Sequence, residues 1–320
     1  MRDDMKGEVH MKRLIQKNSA QMFIGVFTLC LFWMLLLMPS IAVEAKWVKV
    51  GKDNYRYTTN ASGTKYYKNK WAKIKGKYYY FNNKGYRKTG WLTYKGKKYY
   101  LNKKGIRVTG MKTINNKKYY FSKKGVMITG WIKYKNHYYF ANNNGIIQKG
   151  LKQINNQVYY FDTNGKRVAG AHIVLGNMTY YFANNGTLQY TGTEAEQAAK
   201  YINIQRILNG YNPLIYYTNC NLSTAAYKRA EELSVQASHT RPNGTLYSTI
   251  LSVDYPVSIY WSGECVSWGK AKKGVQVAYN WLSNSNAGVL LEKEANGISI
   301  GTYTDAAGKE YWTALVVQTK

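Results

Sequence analysis

From Trp71 to Ala171 the chain repeats itself every 20 residues, and this period limits the possible folds more than any other feature. Trp71, Trp91, Met111, Trp131, Leu151 and Ala171 share one position. An aromatic pair follows at Tyr79-Tyr80, Tyr99-Tyr100, Tyr119-Tyr120, Tyr139-Phe140 and Tyr159-Tyr160, and slips by one to Tyr180-Tyr181. Glycine recurs at 85, 105, 125, 145 and 165, then at 186, and a second glycine at 90, 110, 130, 150 and 170. Each unit reads as a β-hairpin. Residues 91–94 form a short strand, Lys95-Gly96 a two-residue turn and residues 97–101 the return. The same turn slot holds Lys75-Gly76, Asn115-Asn116, Lys135-Asn136 and Asn155-Asn156, and Gly and Asn accept the positive φ that tight hairpin turns need. One hairpin is marginal in water, but a stack shares its aromatic faces, so a hairpin-repeat solenoid is expected. Residues 46–70, with Trp47 and Tyr66-Tyr67, read as an irregular first copy and cap. Some of the tyrosines must fill the solenoid core, but alternation along a strand puts Tyr79 and Tyr80 on opposite faces, so one member of each pair can look outward.

Charge divides the chain. Residues 46–190 carry 30 Lys and Arg against 2 Asp and Glu, whereas residues 191–320 carry 11 against 10. The first stretch therefore seeks an anion and the second does not. A mere solvating face would mix both signs. Basic grooves with aromatic platforms also bind single-stranded nucleic acid, but the N-terminus removes the chain from that compartment. Residues 1–45 have five basic residues before position 18, a nearly unbroken apolar run over 22–38 and small residues around Val43-Glu44-Ala45. That is the pattern of a secretory signal cut after Ala45, and an uncleaved segment would be the only membrane contact. The expected domains are thus 1–45 signal, 46–190 repeats and 191–320 a globular domain. Cys220 and Cys265 remain in an exported chain and form a candidate disulfide.

The W-x7-Y-Y-x4-G-x4-G pattern over about 47–190 resembles the cell-wall-binding (choline-binding-type) repeats of Gram-positive surface proteins and related glucan-binding repeats. The resemblance implies that rings from neighbouring hairpins box a choline or stack on sugars. It makes Trp71, Tyr79, Tyr80, Trp91, Tyr99, Tyr100, Tyr119, Tyr120, Trp131, Tyr139, Tyr159 and Tyr160 the candidate ligand-binding residues. The choline pattern has a second tryptophan before the tyrosine pair. Here Tyr78, Lys98, Lys118, Tyr138 and Val158 stand there. A lysine repels a quaternary ammonium, so an anionic or neutral polymer, teichoic acid or glucan, is the expected partner.

Beyond Thr193 the character changes. Thr193-Glu194-Ala195-Glu196 is a capping box, and an apolar stripe runs from Ala198 to Leu208 before Gly210. A second helix fits Leu222 to Leu233, and residues 298–303 and 311–317 read as strands paired across a turn near Asp305. Helices before strands suggest α+β. The segment Ser238-His239-Thr240-Arg241-Pro242-Asn243-Gly244 resembles the S-H-T-R-P-x-G signature of bacterial CAP-superfamily (SCP-like) domains. Three further segments agree in order: Leu208 to Leu214, Ala226 to Leu233, and Trp261-Ser262-Gly263-Glu264-Cys265. The resemblance covers about 194–320 and implies an α-β-α sandwich with a surface cleft open to a peptide, lipid or protein.

In that family two histidines and acidic residues line the cleft. His239 and Glu264 match the first histidine and the glutamate, which makes them the candidate catalytic residues. Ala287 stands where the second histidine belongs. One His and one Glu fall short of the three or four ligands zinc requires, so no metal and no cofactor are expected. A structural hydrogen-bonded pair is the favoured reading over an acid/base pair, since a fold does not carry its activity with it. The sequence thus describes a secreted, envelope-associated protein whose repeats hold it to a wall polymer and display a non-catalytic CAP domain. A wall- or peptide-degrading hydrolase and a glycan-binding adhesin are the alternatives.

Overall fold

The computed structural model describes residues 45–60, 62–270 and 272–320. The expected signal segment lies outside the described residues, apart from Ala45. The chain divides into two compact units between Val108 and Thr109.

The first unit holds three antiparallel hairpins. Strand β1 (Trp47–Val50) pairs with β2 (Asn54–Tyr57), β3 (Lys70–Ile74) with β4 (Lys77–Phe81), and β5 (Gly90–Tyr94) with β6 (Lys97–Leu101). The second unit continues with β7 (Gly110–Ile114) on β8 (Lys117–Phe121), β9 (Gly130–Tyr134) on β10 (His137–Ala141), and β11 (Gly150–Ile154) on β12 (Gln157–Phe161). A three-stranded piece closes the series, with β13 (Ala171–Leu175), β14 (Met178–Phe182) and β15 (Leu188–Gln189). The turn slots behave as their residues dictate. Lys95 and Gly96 have φ of 49° and 71°, and Asn115 and Asn116 have 47° and 60°, the double positive φ of a type I′ turn. The polar runs that follow are Asx turns: Asn82 Oδ1 accepts from the Tyr86 amide at 2.8 Å and Asn102 Oδ1 from the Ile106 amide at 3.0 Å.

One position missing from the sequence reading carries a large buried side chain in five of the hairpins, and Ala141 fills it in the β9–β10 hairpin. Phe81, Leu101, Phe121, Phe161 and Phe182 are all completely buried. The expectation that one tyrosine of each pair can look outward is corrected at Tyr79-Tyr80, where both are buried. Tyr79 joins Ala72, Ile74 and Phe81 in one cluster. Tyr80 packs on Trp71 across the strand pair at 5.4 Å and on Tyr94 of the next hairpin at 5.5 Å. Stacking covers both faces of a hairpin, so alternation alone does not leave a face free.

The C-terminal α/β region is built on α1 (Glu194–Leu208), β16 (Ile215–Tyr216), α2 (Asn221–Val235), β17 (Ile259–Gly269), α3 (Gly274–Leu282), α4 (Ala287–Leu290), β18 (Gly297–Thr304) and β19 (Glu310–Thr319). The sheet order is β16-β18-β19-β17, with β16 parallel to β18 and the other pairs antiparallel. As the capping box requires, the Thr193 hydroxyl accepts from the Glu196 amide at 3.2 Å at the start of α1. Ile298, Ile300, Ala314 and Val316 pack with Ala198 and Ile202 of α1 and with Val277 and Trp281 of α3. Leu315 and Val317 pack instead with Leu222, Ala225 and Ala226 of α2. Helices therefore cover both faces of the sheet.

The candidate disulfide is corrected by the same layering. Both cysteines are free. Cys265 lies in the core shared with α1 and α3, where burial pushes its thiol pKa up, while Cys220 caps α2 and packs with the opposite core.

The first of these cores extends past the compositional boundary near residue 190. Leu151, Val158, Met178, Tyr180, Phe182 and Leu188 belong to it together with Ala198, Ala199 and Ile202. Asn177 pins the two parts further, donating to the Tyr216 carbonyl at 2.9 Å and accepting from the Tyr216 amide at 3.0 Å. The last hairpins and the α/β region are one folded body.

Candidate functional site

Aromatic boxes recur along the hairpins, and each of the three best formed contains a guanidinium. Trp71, Tyr78 and Tyr99 make one: the Trp71 and Tyr99 rings lie 5.1 Å apart, and Arg107 Cζ sits 4.1 Å from the Tyr78 centroid and 5.9 Å from Trp71. Trp131, Tyr138 and Tyr159 make the second, with Trp131 and Tyr159 4.8 Å apart and Arg167 Cζ 4.6 Å from Tyr138 and 5.9 Å from Trp131. The irregular first copy makes the third from Trp47, Tyr55 and Tyr79, with Arg87 Cζ 4.5 Å from Tyr55 and 5.6 Å from Trp47. Arg56 is similarly clasped between Tyr66 at 4.3 Å and Tyr86 at 4.7 Å.

The backbone fixes these arginines. The amides of Arg87, Arg107 and Arg167 donate to the carbonyls of Tyr55, Tyr78 and Tyr138 at 2.7, 2.9 and 2.8 Å, so each side chain starts beside the ring it covers. The stems of Arg87 and Arg167 run over the glycine of the following copy. A Cβ on Gly105 would stand 2.4 Å from Arg87 Cδ, and one on Gly186 2.5 Å from Arg167 Cδ, which is the steric reason for glycine there. Burial draws the Arg107 pKa down, opposed by Tyr78 and Tyr99.

The candidate ligand residues divide accordingly. Trp71, Tyr99, Trp131, Tyr159 and Tyr79 line the boxes. Tyr100 packs on Trp91 at 5.3 Å, Tyr120 on Tyr134 at 5.3 Å and Tyr160 on Phe182 at 6.0 Å, while Tyr119 and Tyr139 are buried and Tyr80 fills the space between hairpins. The most exposed rings of the hairpins are Tyr78, Trp91, Trp131 and Tyr138, at 38–39%. Tyr78 and Tyr138 were not among the candidates, nor were the arginines. The signal that finds them is a third period: Arg87, Arg107 and Arg167 share the slot two residues after the first glycine, where Met127 and Ile147 stand in the other copies.

In the α/β region the structure brings His239 and Glu264 together. His239 Nδ1 lies 2.7 Å from Glu264 Oε2, Arg229 Nε 2.8 Å from Glu264 Oε1, and Thr313 Oγ1 3.4 Å from the same oxygen. The Glu264 and Arg229 side chains are fully buried, while that of His239 is 55% exposed. The charges continue outward: Arg229 meets Glu232 at 3.5 Å, Glu232 receives Arg241 at 2.7 Å, and Arg241 reaches Asp254 at 2.5 Å. Strand β17, which carries Glu264, went unread in the sequence. Ala287 opens α4, and among the described residues no three His, Cys, Asp or Glu side chains converge.

The hydrogen bond to Glu264 raises the His239 pKa above its ordinary value, with burial opposing. The protonated form is thus favoured in the folded protein. Its stabilising contribution is full below the unfolded value of about 6.5 and fades as pH rises through the higher folded value. A pH titration of the His239 ring followed by NMR should give a midpoint above that of a free histidine. Glu264→Gln should bring it down, and an unchanged midpoint in that variant would contradict the pairing.

Comparison with known proteins places the repeats. Residues 69–87 and 89–106 match the cell wall binding repeat family, and residues 108–147 and 148–192 match the choline-binding repeat family. Residues 69–192 are therefore cell-wall-binding repeats of the choline-binding type. Choline-binding protein F of Streptococcus pneumoniae is 34% identical over 46% of this chain and 48% of its own, with a TM-score of 0.41. The pneumococcal cell wall endolysin of phage Cp-1, solved with choline, is 32% identical over 41% of this chain and 39% of its own, at 0.30. The chain spans about half the length or less of these structures. Among curated proteins none matches.

Proposed function

We propose that the chain is an extracellular, wall-associated protein that holds an anionic wall polymer through its basic hairpins and carries a CAP-like α/β domain as cargo. The observation that carries this reading is the coincidence of wall-binding repeats with the charge: 28 net positive charges over residues 46–190 and only one over 191–320. The CAP resemblance is supported by where its motifs fall, since the 238–244 segment delivers His239 onto a buried Glu264 held by Arg229 from α2. The cargo is read as non-catalytic. Glu264 is fully engaged by a buried arginine, and no second histidine stands at position 287.

Because the last hairpins share a core with the α/β region, the test uses residues 46–320 whole. The protein should sediment with purified Gram-positive wall, far less with wall stripped of teichoic acid, and less again as salt rises through the screening range. Equal sedimentation with intact and stripped wall would overturn the polymer assignment. For the hydrolase reading, the protein and His239→Ala are incubated with wall and with casein. Background release by both is expected, and release that depends on His239 would restore it.

A further inference from the structure

The same three elements recur in the two regular boxes: a tryptophan, tyrosines 7 and 28 residues later, and an arginine 36 residues later, as in Trp71, Tyr78, Tyr99, Arg107 and in Trp131, Tyr138, Tyr159, Arg167. A box of electron-rich ring faces attracts a cation. Here the cation is already attached to the chain, delivered by a backbone hydrogen bond to the carbonyl of the ring it covers. Arg87 and Arg167 have no carboxylate at ion-pair distance among the described residues, and the Nε of each is buried without a hydrogen-bond partner. Ring faces, rather than acids, hold them, and their charge is kept. Only two acids, Asp53 and Asp162, stand among the 30 basic residues of this stretch.

We propose that Arg87, Arg107 and Arg167 are tethered cations that close their aromatic boxes to quaternary ammonium ligands, and that the hairpins hold the wall through phosphate-class oxyanions instead. The second half rests on the wall-binding reading above; the first does not. A guanidinium with its face on tyrosine keeps an N–H edge for bidentate contact with a phosphate. Surrounding lysines add charge without geometry.

The test follows the indole N–H signals of Trp71 and Trp131 by NMR in residues 46–320 while choline chloride is added into the millimolar range. In the native protein these two signals stay in place. In Arg107→Met/Arg167→Met, which borrows the residue found at position 127, they move saturably, an affinity gain of about tenfold or more. In Arg107→Lys/Arg167→Lys a cation remains and they stay in place. Saturable movement in the native or lysine protein overturns the proposal, as does a folded methionine variant that fails to respond. If the methionine variant does not fold, the native and lysine proteins decide. The oxyanion half is read from release: soluble poly(glycerol phosphate) should free wall-bound native protein, and choline chloride at equal ionic strength should not. Release by choline overturns it. A native protein that never binds wall defeats the functional reading but leaves the indole measurement standing.

Discussion

A protein beginning at Thr193 should fail to fold cooperatively, even though composition changes there. Met178, Tyr180, Phe182 and Leu188 are buried in the core that also holds Ala198, Ile202 and Trp281. Each side chain of this size contributes about 1.5–3 kcal/mol when buried. Losing even part of the set is therefore comparable with the entire stability of a domain, roughly 5–15 kcal/mol. The point-mutation form is Tyr180→Ala in residues 46–320. Tyr180 is completely buried, and its truncation should cost about 3–5 kcal/mol. Urea unfolding followed by near-ultraviolet circular dichroism, to which the packed tryptophans and tyrosines of hairpins and α/β region alike contribute, should shift to a clearly lower midpoint. A signal that unfolds unchanged in Tyr180→Ala would separate the hairpins from the α/β core.

The second large effect concerns Arg229 and Glu264, both with side chains fully withdrawn from water and 2.8 Å apart. Arg229→Met and Glu264→Gln should each cost about 3–5 kcal/mol, since each strands the partner's buried charge or leaves it underpaired. The double variant should cost clearly less than the sum, by about 1–3 kcal/mol, because no charge is left alone. Additive costs in a double-mutant cycle would contradict a direct pair. The same energetics explain why His239, more than half exposed, is the safer probe of any chemistry at this pair. His239→Ala should leave the fold intact, whereas a loss of activity in a Glu264 variant would be confounded with loss of structure.

Arg206 shows how a buried charge is satisfied without an acid. Its guanidinium donates to the carbonyls of Asn212, Leu290, Glu292 and Ala295, tying the exit of α1 to the segment after α4. Burial lowers its pKa, opposed by Glu292 and Tyr211. Asn203 performs the matching task at Leu214, accepting from its amide at 2.7 Å and donating to its carbonyl at 2.8 Å. These contacts explain the run Leu208-Asn209-Gly210-Tyr211-Asn212-Pro213-Leu214. Its role is to be held in place by the helix before it.

Local rules made part of this legible in advance. The turn slots needed positive φ, and only Gly, Asn and a few lysines stand there. Thr193 had to cap a helix because Glu196 and the stripe behind it begin one. The 298–303 and 311–317 runs had to pair because a tight turn joins them. Strand β17 was not legible: Ile259 to Gly269 mixes polar and apolar residues without alternation, and its place in the sheet comes from pairing with β19 along its length. The cysteines looked pairable for the same reason, since nothing local to Cys220 or Cys265 reports that a sheet stands between their cores.

By itself, then, the sequence determined the repeat, the hairpin and its turn and the separation of charge, because each follows from short-range periodicity or from residue type, whereas His239 and Glu264 were singled out only by the resemblance of their segments to a known family. Tertiary structure alone decided which rings face inward, where the arginines rest and where one core ends. Those depend on what a neighbouring hairpin or helix brings to the surface of the last one. Tyr80 is buried only because Tyr94 arrives beside it, and Arg107 fills a box only because the chain returns to Tyr78 after passing through another hairpin.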